Sequence, residues 1–320
     1  MKVRPAILRD KISALWKRIL PHLKFVGNKL KLFLSTRRGK WITAILILGT
    51  LYAFCLPRQL FSDPTCTVLL DKDGKLLGAQ IASDGQWRFP ERKTVPYKFA
   101  QCIIQYEDRS FYNHPGFNPL AFGRALKQNL KNKRIVSGGS TLTMQVIRIA
   151  RKNPPRNFYQ KIIEVILATR LEIRDSKEEI LALYASHAPF GSNVVGIDAA
   201  SWRYFGREPE KLSWAESATL AVLPNSPSLI YPGKNSVRLK DKRDRLLDRL
   251  YAAGIIDCTT RDLSKQEPLP GAPHALPQLA PHLLNRSANE GFQGQIVKST
   301  IDIDMQERVN AIIEKHHKVL

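Results

Sequence analysis

From Pro96 onward, apolar residues recur at helical spacing for about 160 residues, and this pattern limits the fold more than any other feature. Turn formers interrupt it at Asn118-Pro119, Gly138-Gly139 and Asn153-Pro154-Pro155, so the region divides into short helices. Before it, Thr67–Leu70 and Leu76–Ile81 alternate as short strands around an Asp71-Lys72-Asp73-Gly74 turn, with a second turn at Ser83-Asp84-Gly85. Near the end, Gln295–Ile301 has strand character and a helical stretch starts at Asp304. The chain is therefore mainly α, with a small N-terminal β-hairpin region.

Individual ends follow from capping chemistry. Asn118 caps and Pro119 opens a helix to about Leu130, and Ser140 is placed to cap a helix over Thr141–Lys152. Ser176 with Glu179, and Ser213 with Glu216, spell capping boxes. Gly254 closes a basic helix that begins near Ser236. Five prolines between Lys265 and Pro281 predict a linker.

Charge is uneven. The chain has a net charge of +22, and residues 1–40 hold twelve Lys and Arg against the single acid Asp10. Trp41–Leu56 follows without a charge and is closed by Pro57 and Arg58. The basic flank favours a transmembrane helix over 41–57 with the N-terminus inside; a signal peptide or a buried core helix are the competing readings. Residues 6–35 predict an amphipathic helix on the inner leaflet, broken at Pro21. A basic face could meet nucleic acid, anionic lipid or a phosphorylated substrate, and export to the periplasm would keep it from the first. Cys66, Cys102 and Cys258 lie beyond the apolar run at no metal-ligand spacing, so no disulfide framework is implied.

Three stretches carry chemistry. Phe99, Cys102, Ile103 and Tyr106 form one helical face, and Glu107-Asp108 follows it directly. A glutamate against apolar surroundings has a raised pKa, useful for proton transfer, although the stretch alone also suits a solvated helix end. Phe158–Ile173 is apolar nearly all round and is expected to be buried, which would leave Lys161 and Glu164 little water. Paired or functional charges are expected there, or else an ordinary surface pair three residues apart. Ser137–Arg151 gathers hydroxyls, glycines and free N–H groups at a helix start, with Arg148, Arg151, Lys152 and Lys161 beside it. That suits a pyrophosphate, though a plain cap has the same residues. Two carboxylates, an anion cradle and a membrane anchor are the parts for glycosyl transfer from a lipid-linked sugar pyrophosphate.

Five ordered motifs sharpen this. Glu107-Asp108 with Phe111, His114 and Gly116 comes first, then Gly138-Gly139-Ser140-Thr141-Leu142-Thr143-Met144-Gln145. Lys161 with Glu164, Lys177 through Tyr184, and Lys242-Arg243 with Leu246 and Leu247 complete the series. Over roughly residues 40–260 the chain resembles the class A penicillin-binding proteins (subtype 1C-like) across their anchor and peptidoglycan glycosyltransferase domain (family 51). The resemblance implies a lysozyme-like, two-lobed glycosyltransferase domain preceded by a single transmembrane helix. Its divisions would be a basic cytoplasmic segment 1–40, the span 41–57, the hairpin region 65–97, the catalytic domain 98–260 and a linker region 261–320. It implies Glu107 as general base on the GlcNAc 4-hydroxyl of the acceptor lipid II, and Glu164 as the second catalytic glutamate at the donor site. Asp108, Phe111, His114, Ser140, Thr141, Gln145, Arg148 and Lys161 would bind substrate. No cofactor is required, and a divalent cation (Mg or Mn) near the donor pyrophosphate is compatible with the family. Partners would be lipid II, the growing glycan strand, membrane lipid and other cell-wall synthesis proteins, at the bacterial inner membrane with the catalytic domain periplasmic.

Departures are visible. Met144 stands in place of a glutamine, Gln160 in place of an arginine, and Ala185-Ser186 in place of Leu-Asn. The Ser-x-x-Lys and Lys-Thr-Gly motifs of a transpeptidase do not occur in these 320 residues, which suggests a fragment, a truncation or loss of a second activity. A lysozyme-like muralytic enzyme and a non-catalytic cell-wall scaffold are the alternatives. The anchor, the second glutamate and the cation-rich helix argue against the first.

Overall fold

In the computed structural model, which describes residues 35–132, 139–155, 157–225 and 235–317, the chain forms two compact units, 1–57 and 58–320. In the first, helix α1 (Arg37–Phe54) is capped by Thr36, whose hydroxyl accepts from Gly39 N at 3.0 Å. Trp41, Ile45, Leu46, Leu48, Leu51 and Phe54 are exposed along it. The helix stops at Phe54, short of the transmembrane helix expected over 41–57. Its charge-free part spans roughly 21 Å at about 1.5 Å per residue, against a hydrocarbon core of about 30 Å. Among the described residues no helix is long and apolar enough to cross a membrane. The amphipathic helix expected over 6–35 lies, but for its last residue, outside the described residues.

The second unit begins with a hairpin of β1 (Thr67–Leu70) and β2 (Leu76–Gln80). Asp71 makes the turn: its Oδ1 accepts from Asp73 N at 2.8 Å and Lys75 N at 2.7 Å, which fixes the backbone locally. Strand β6 (Ile296–Lys298), from the end of the chain, adds parallel to β1, with Val68 opposite Ile296. One face of this sheet packs Cys66, Val68, Leu76 and Ala79 with Leu276, and the other packs Leu69 and Leu77 with Leu284. The hairpin region, the helices and the tail thus lie in a single compact unit. A second small sheet has the order β3 (Trp87–Arg88), β5 (Val194–Val195), β4 (Pro189–Gly191).

The rest is mainly helical. Helix α2 (Tyr97–Glu107) buries Phe99, Cys102, Ile103 and Ile104. Helix α3 (Pro119–Asn132) begins at the expected proline. Helices α4 (Leu142–Ala150), α5 (Phe158–Arg174) and α6 (Lys177–His187) follow, with α4 packed on both of the others. Beyond α7 (Ile197–Phe205), α8 (Trp214–Val222) and α9 (Ser236–Ala252) pack on α2 and on each other. The chain ends with α10 (Cys258–Gln266), α11 (Pro281–Ser287) and α12 (Ile303–His317). Both capping boxes are present as expected, on α6 and α8.

Two expectations are corrected. Thr141, not Ser140, caps α4: its hydroxyl accepts from Met144 N at 3.2 Å, and the helix ends at Ala150 because Lys152 and Asn153 turn left-handed. Helix α5 is not buried all round. It buries Glu164, Ala168 and Leu171, while Phe158 is 76% exposed and Tyr159, Ile162, Ile166 and Ile173 are exposed with it. Periodicity identifies an apolar surface but not what covers it.

Candidate active site

The carboxylate of Glu107 projects from the last turn of α2, whose apolar face is anchored against α8 and α9. Its Oε2 accepts from Gln145 Nε2 at 2.7 Å, and its Oε1 is buried without a hydrogen-bond partner. Burial pushes the Glu107 carboxyl above the ordinary carboxylate range, and Asp108 adds to the rise. Gln145, Lys242 and Asn225 pull in the other direction without cancelling it. This is the environment a general base needs near neutral pH.

Asp108 turns the other way. It is buried, and its Oδ2 takes His114 Nε2 at 2.9 Å and the backbone N–H of Leu142 at 3.0 Å, so it fastens the end of α2 to the start of α4. Thr141 donates to the carbonyl of Gly116 at 2.6 Å. Gly116 sits at φ +84°, and a Cβ there would stand 2.7 Å from the Ala168 carbonyl oxygen, so only glycine fits. Phe111 is fully buried under the ammonium of Lys177, 4.6 Å above its ring centre. Lys177 also donates to the His114 carbonyl and to Glu172, both at 2.7 Å. Asp108, Phe111, His114 and Thr141 therefore brace the site, and Asp108 and Thr141 also line its cleft.

Glu164 lies across α4. It is 3% exposed, and Arg148 holds it with two bonds of 2.7 Å, Nε to Oε1 and Nη2 to Oε2. Lys161 Nζ stands 3.7 Å from Glu164 Oε2 and donates to Ser140 Oγ at 2.5 Å. The expected anion cradle is thus partly assembled: Ser140, Arg148, Lys161 and Glu164 come together, with Arg148 already paired. Gly138 and Ser137 lie outside the described residues.

A cleft of about 570 Å³ opens in front of Glu107, lined also by Ser140, Thr141, Arg124, Gln128 and Arg249. Sequence reasoning missed several residues here. Lys242 stood in the fifth motif, yet no role followed, because nothing local says that α9 brings it to Glu107. It donates to Asn225 at 3.2 Å, and burial, with Arg238 next, lowers its pKa. Its neighbour Arg243 is fully buried and serves packing, donating to the carbonyls of Glu267 and Lys265 at 2.7 and 3.0 Å. Tyr184 presents a buried, unpartnered hydroxyl, pushed well above its usual pKa by burial and then by Glu107.

A family model described as Transglycosylase matches residues 73–251. The chain is 38% identical over 288 residues to Penicillin-binding protein 1C of Escherichia coli (strain K12), covering 88% of this chain and 37% of that protein. It is 34% identical over 248 residues to Penicillin-binding protein 1A of Pseudomonas aeruginosa, covering 73% and 30%. It therefore spans about a third of the length of these relatives. A crystal structure of Penicillin-Binding Protein 1A from Haemophilus influenzae matches at TM-score 0.36 and 17% identity, over 76% of this chain and 28% of that one, too loosely to bear on the fold.

Proposed function

The chain belongs to the transglycosylase family, and from that premise we propose that it is a peptidoglycan glycosyltransferase polymerising lipid II into glycan strands. The observation that carries the reading is the pair of glutamates held by two residues of α4 three positions apart, Glu107 by Gln145 and Glu164 by Arg148. The GlcNAc 4-hydroxyl of the acceptor enters the cleft and gives its proton to Glu107 as its oxygen attacks the donor's anomeric carbon. The bond from that carbon to the phosphate oxygen breaks, the carbon inverts, and undecaprenyl pyrophosphate leaves. Lys161 and Arg148 meet the charge that develops on the leaving group, and Glu164 orients both cations. Ser140 positions Lys161, Gln145 positions the base, and Asp108, Phe111, His114 and Thr141 hold the two helix ends in register.

The residues around Glu164 do not fit a divalent cation. Among the described residues no three acidic, histidine or cysteine side chains come together to hold one, and Arg148 occupies both oxygens of Glu164. A lysozyme-like, two-lobed arrangement belongs to the same proposal. So does work at the periplasmic face of the bacterial inner membrane: the exposed Phe158, Tyr159, Ile162 and Ile166 suit a lipid surface, where a lipid-linked substrate is found. Partners would be lipid II, the growing strand and other cell-wall synthesis proteins.

The test is one purified protein given two substrates. Polymer from lipid II with no digestion of finished glycan is the expected result. Digestion without polymer would turn the reading to a muralytic enzyme, and inertness toward both would turn it to a scaffold.

A further inference from the structure

A second cavity of the 58–320 unit, of about 780 Å³, lies at the C-terminal end of α5, where α6 meets the segments 58–60 and 91–93. Leu60, Ala182 and Leu183 supply its apolar wall. Four cations, Arg58, Arg92, Lys93 and Arg174, line it against three carboxylates, Glu91, Asp175 and Glu179. Most of these charges are committed. Arg174 forks onto Asp175 with bonds of 2.7 and 2.9 Å, Glu91 is held by His187 at 2.7 Å, and Glu179 by Ser176 in the cap of α6. Arg92 is paired with Asp198 and Glu210. Arg58 and Lys93 are exposed, and among the described residues neither side chain has an ionic or hydrogen-bonding partner. Their backbones are nonetheless pinned. Arg174 Nη1 donates to the Arg58 carbonyl at 3.3 Å, and the Arg92 N–H, beside Lys93, donates to Ser186 Oγ at 3.2 Å. Two available cations thus stand on fixed backbone at one cavity.

The charges and the surroundings point to the ligand. Four cations against three carboxylates leave one positive charge in surplus, which matches a phosphodiester; a phosphate monoester carries about 1.5 to 2 negative charges at neutral pH. Ile162, Ile166 and Ile173 form one exposed apolar face of α5, and that face ends beside Arg174. In sequence, Arg58 stands two residues past the charge-free run 41–56. We infer that this cavity binds the phosphodiester headgroup of a monoanionic glycerophospholipid, with Arg58 and Lys93 on the phosphate and the acyl chains along the exposed face of α5. Basic pockets beside an apolar surface recognise lipid headgroups in this way. The site shares no lining residue with the cleft at Glu107, and α5 rises about 20 Å between Lys161 and Arg174. The lipid source rests on the reading of α5 as lipid-facing; the phosphate site itself rests on the cavity.

The test uses the full chain in neutral maltoside micelles, titrated by calorimetry with dihexanoyl phosphatidylglycerol and, separately, with glycerol 3-phosphate. The wild type should bind the lipid more tightly than the free ester. Arg58→Ala and Lys93→Ala should each weaken lipid binding about fivefold, the worth of one Lys or Arg at an anionic lipid surface. Rising salt should shrink that difference. Lys93→Arg keeps the charge and should retain binding. Both side chains are exposed, so the variants should keep the wild-type circular dichroism. No lipid binding by the wild type, or equal affinity when Arg58→Ala and Lys93→Ala are combined, overturns the inference. Glycerol 3-phosphate bound as tightly as the lipid overturns the lipid source. Polymerisation of lipid II is scored on the same preparations: lipid binding that depends on Arg58 and Lys93 in a chain that makes no polymer contradicts the glycosyltransferase reading and leaves the headgroup site standing.

Discussion

Gln145 and Arg148 stand three positions apart on α4, and each holds one glutamate: Gln145 donates to Glu107 at 2.7 Å, and Arg148 donates twice to Glu164 at 2.7 Å. Residues three apart on a helix share a face, so one helix sets the relation between base side and donor side. A shift of α4 would disturb the hold on both carboxylates at once. The fastening of its N-terminus to Asp108 and Gly116 is therefore part of the catalytic geometry.

The acid limb of the rate profile should report Glu107. Burial raises its pKa, so the ionised base fills only as pH rises through a value above the ordinary 4.5, and kcat/KM should climb over that window. Gln145 stabilises the ionised form. Gln145→Ala should therefore move the limb to higher pH, read from kcat/KM against pH, and an unmoved limb would separate Gln145 from the base.

The same pKa shift makes a statement about stability. Glu107 binds its proton more tightly folded than unfolded, so it adds stability that is fully present below the unfolded pKa and is lost as pH rises through the folded one. Glu107→Gln mimics the protonated form and should melt no lower than wild type at pH 7. A lower melting temperature there would contradict the assigned sign.

Breaking the Arg148–Glu164 pair should damage the fold as well as the rate. Both partners are largely shielded, and deleting one strands the other, which costs about 3–5 kcal/mol for fully buried pairs. Lys161 at 3.7 Å offsets part of this, so Arg148→Ala should lose about 2–3 kcal/mol by urea unfolding. Arg148→Lys should lose less. Unchanged stability in Arg148→Ala would mean that the pair does not form in solution.

Gly116→Ala tests the brace. The substituted residue would sit at positive φ with its Cβ 2.7 Å from the Ala168 carbonyl oxygen, so something must shift. The expected loss is about 1–3 kcal/mol by denaturant unfolding, with a fall in activity because Thr141 hangs from the Gly116 carbonyl. A neutral Gly116→Ala would remove Gly116 from the account.

What could be seen in the sequence was local. The Asp71 turn, the caps at Ser176 and Ser213, a break before Phe158 and the stripe leading to Glu107 depend on neighbours a few residues apart, and the structure has each of them. Contacts between distant residues were hidden. Nothing near Lys242 announces that it bonds Asn225 and that its charge acts on Glu107, and nothing near Asp108 says that it spans to Leu142. The outer face of α5 was misjudged for a related reason: a helix apolar all round can face protein or another apolar phase, and composition does not separate the two. The motifs brought these residues to attention, but only the structure shows that Asp108 and Thr141 brace the site while also lining its cleft.

The central claim is that Glu107 takes the proton from the acceptor hydroxyl, and the most direct measurement is the initial rate of polymer formation from lipid II by wild type and Glu107→Gln under the same conditions. Loss of a general base costs about 10²–10⁴-fold. The account predicts a loss in that range with circular dichroism unchanged. Polymerisation by Glu107→Gln at the wild-type rate would contradict it.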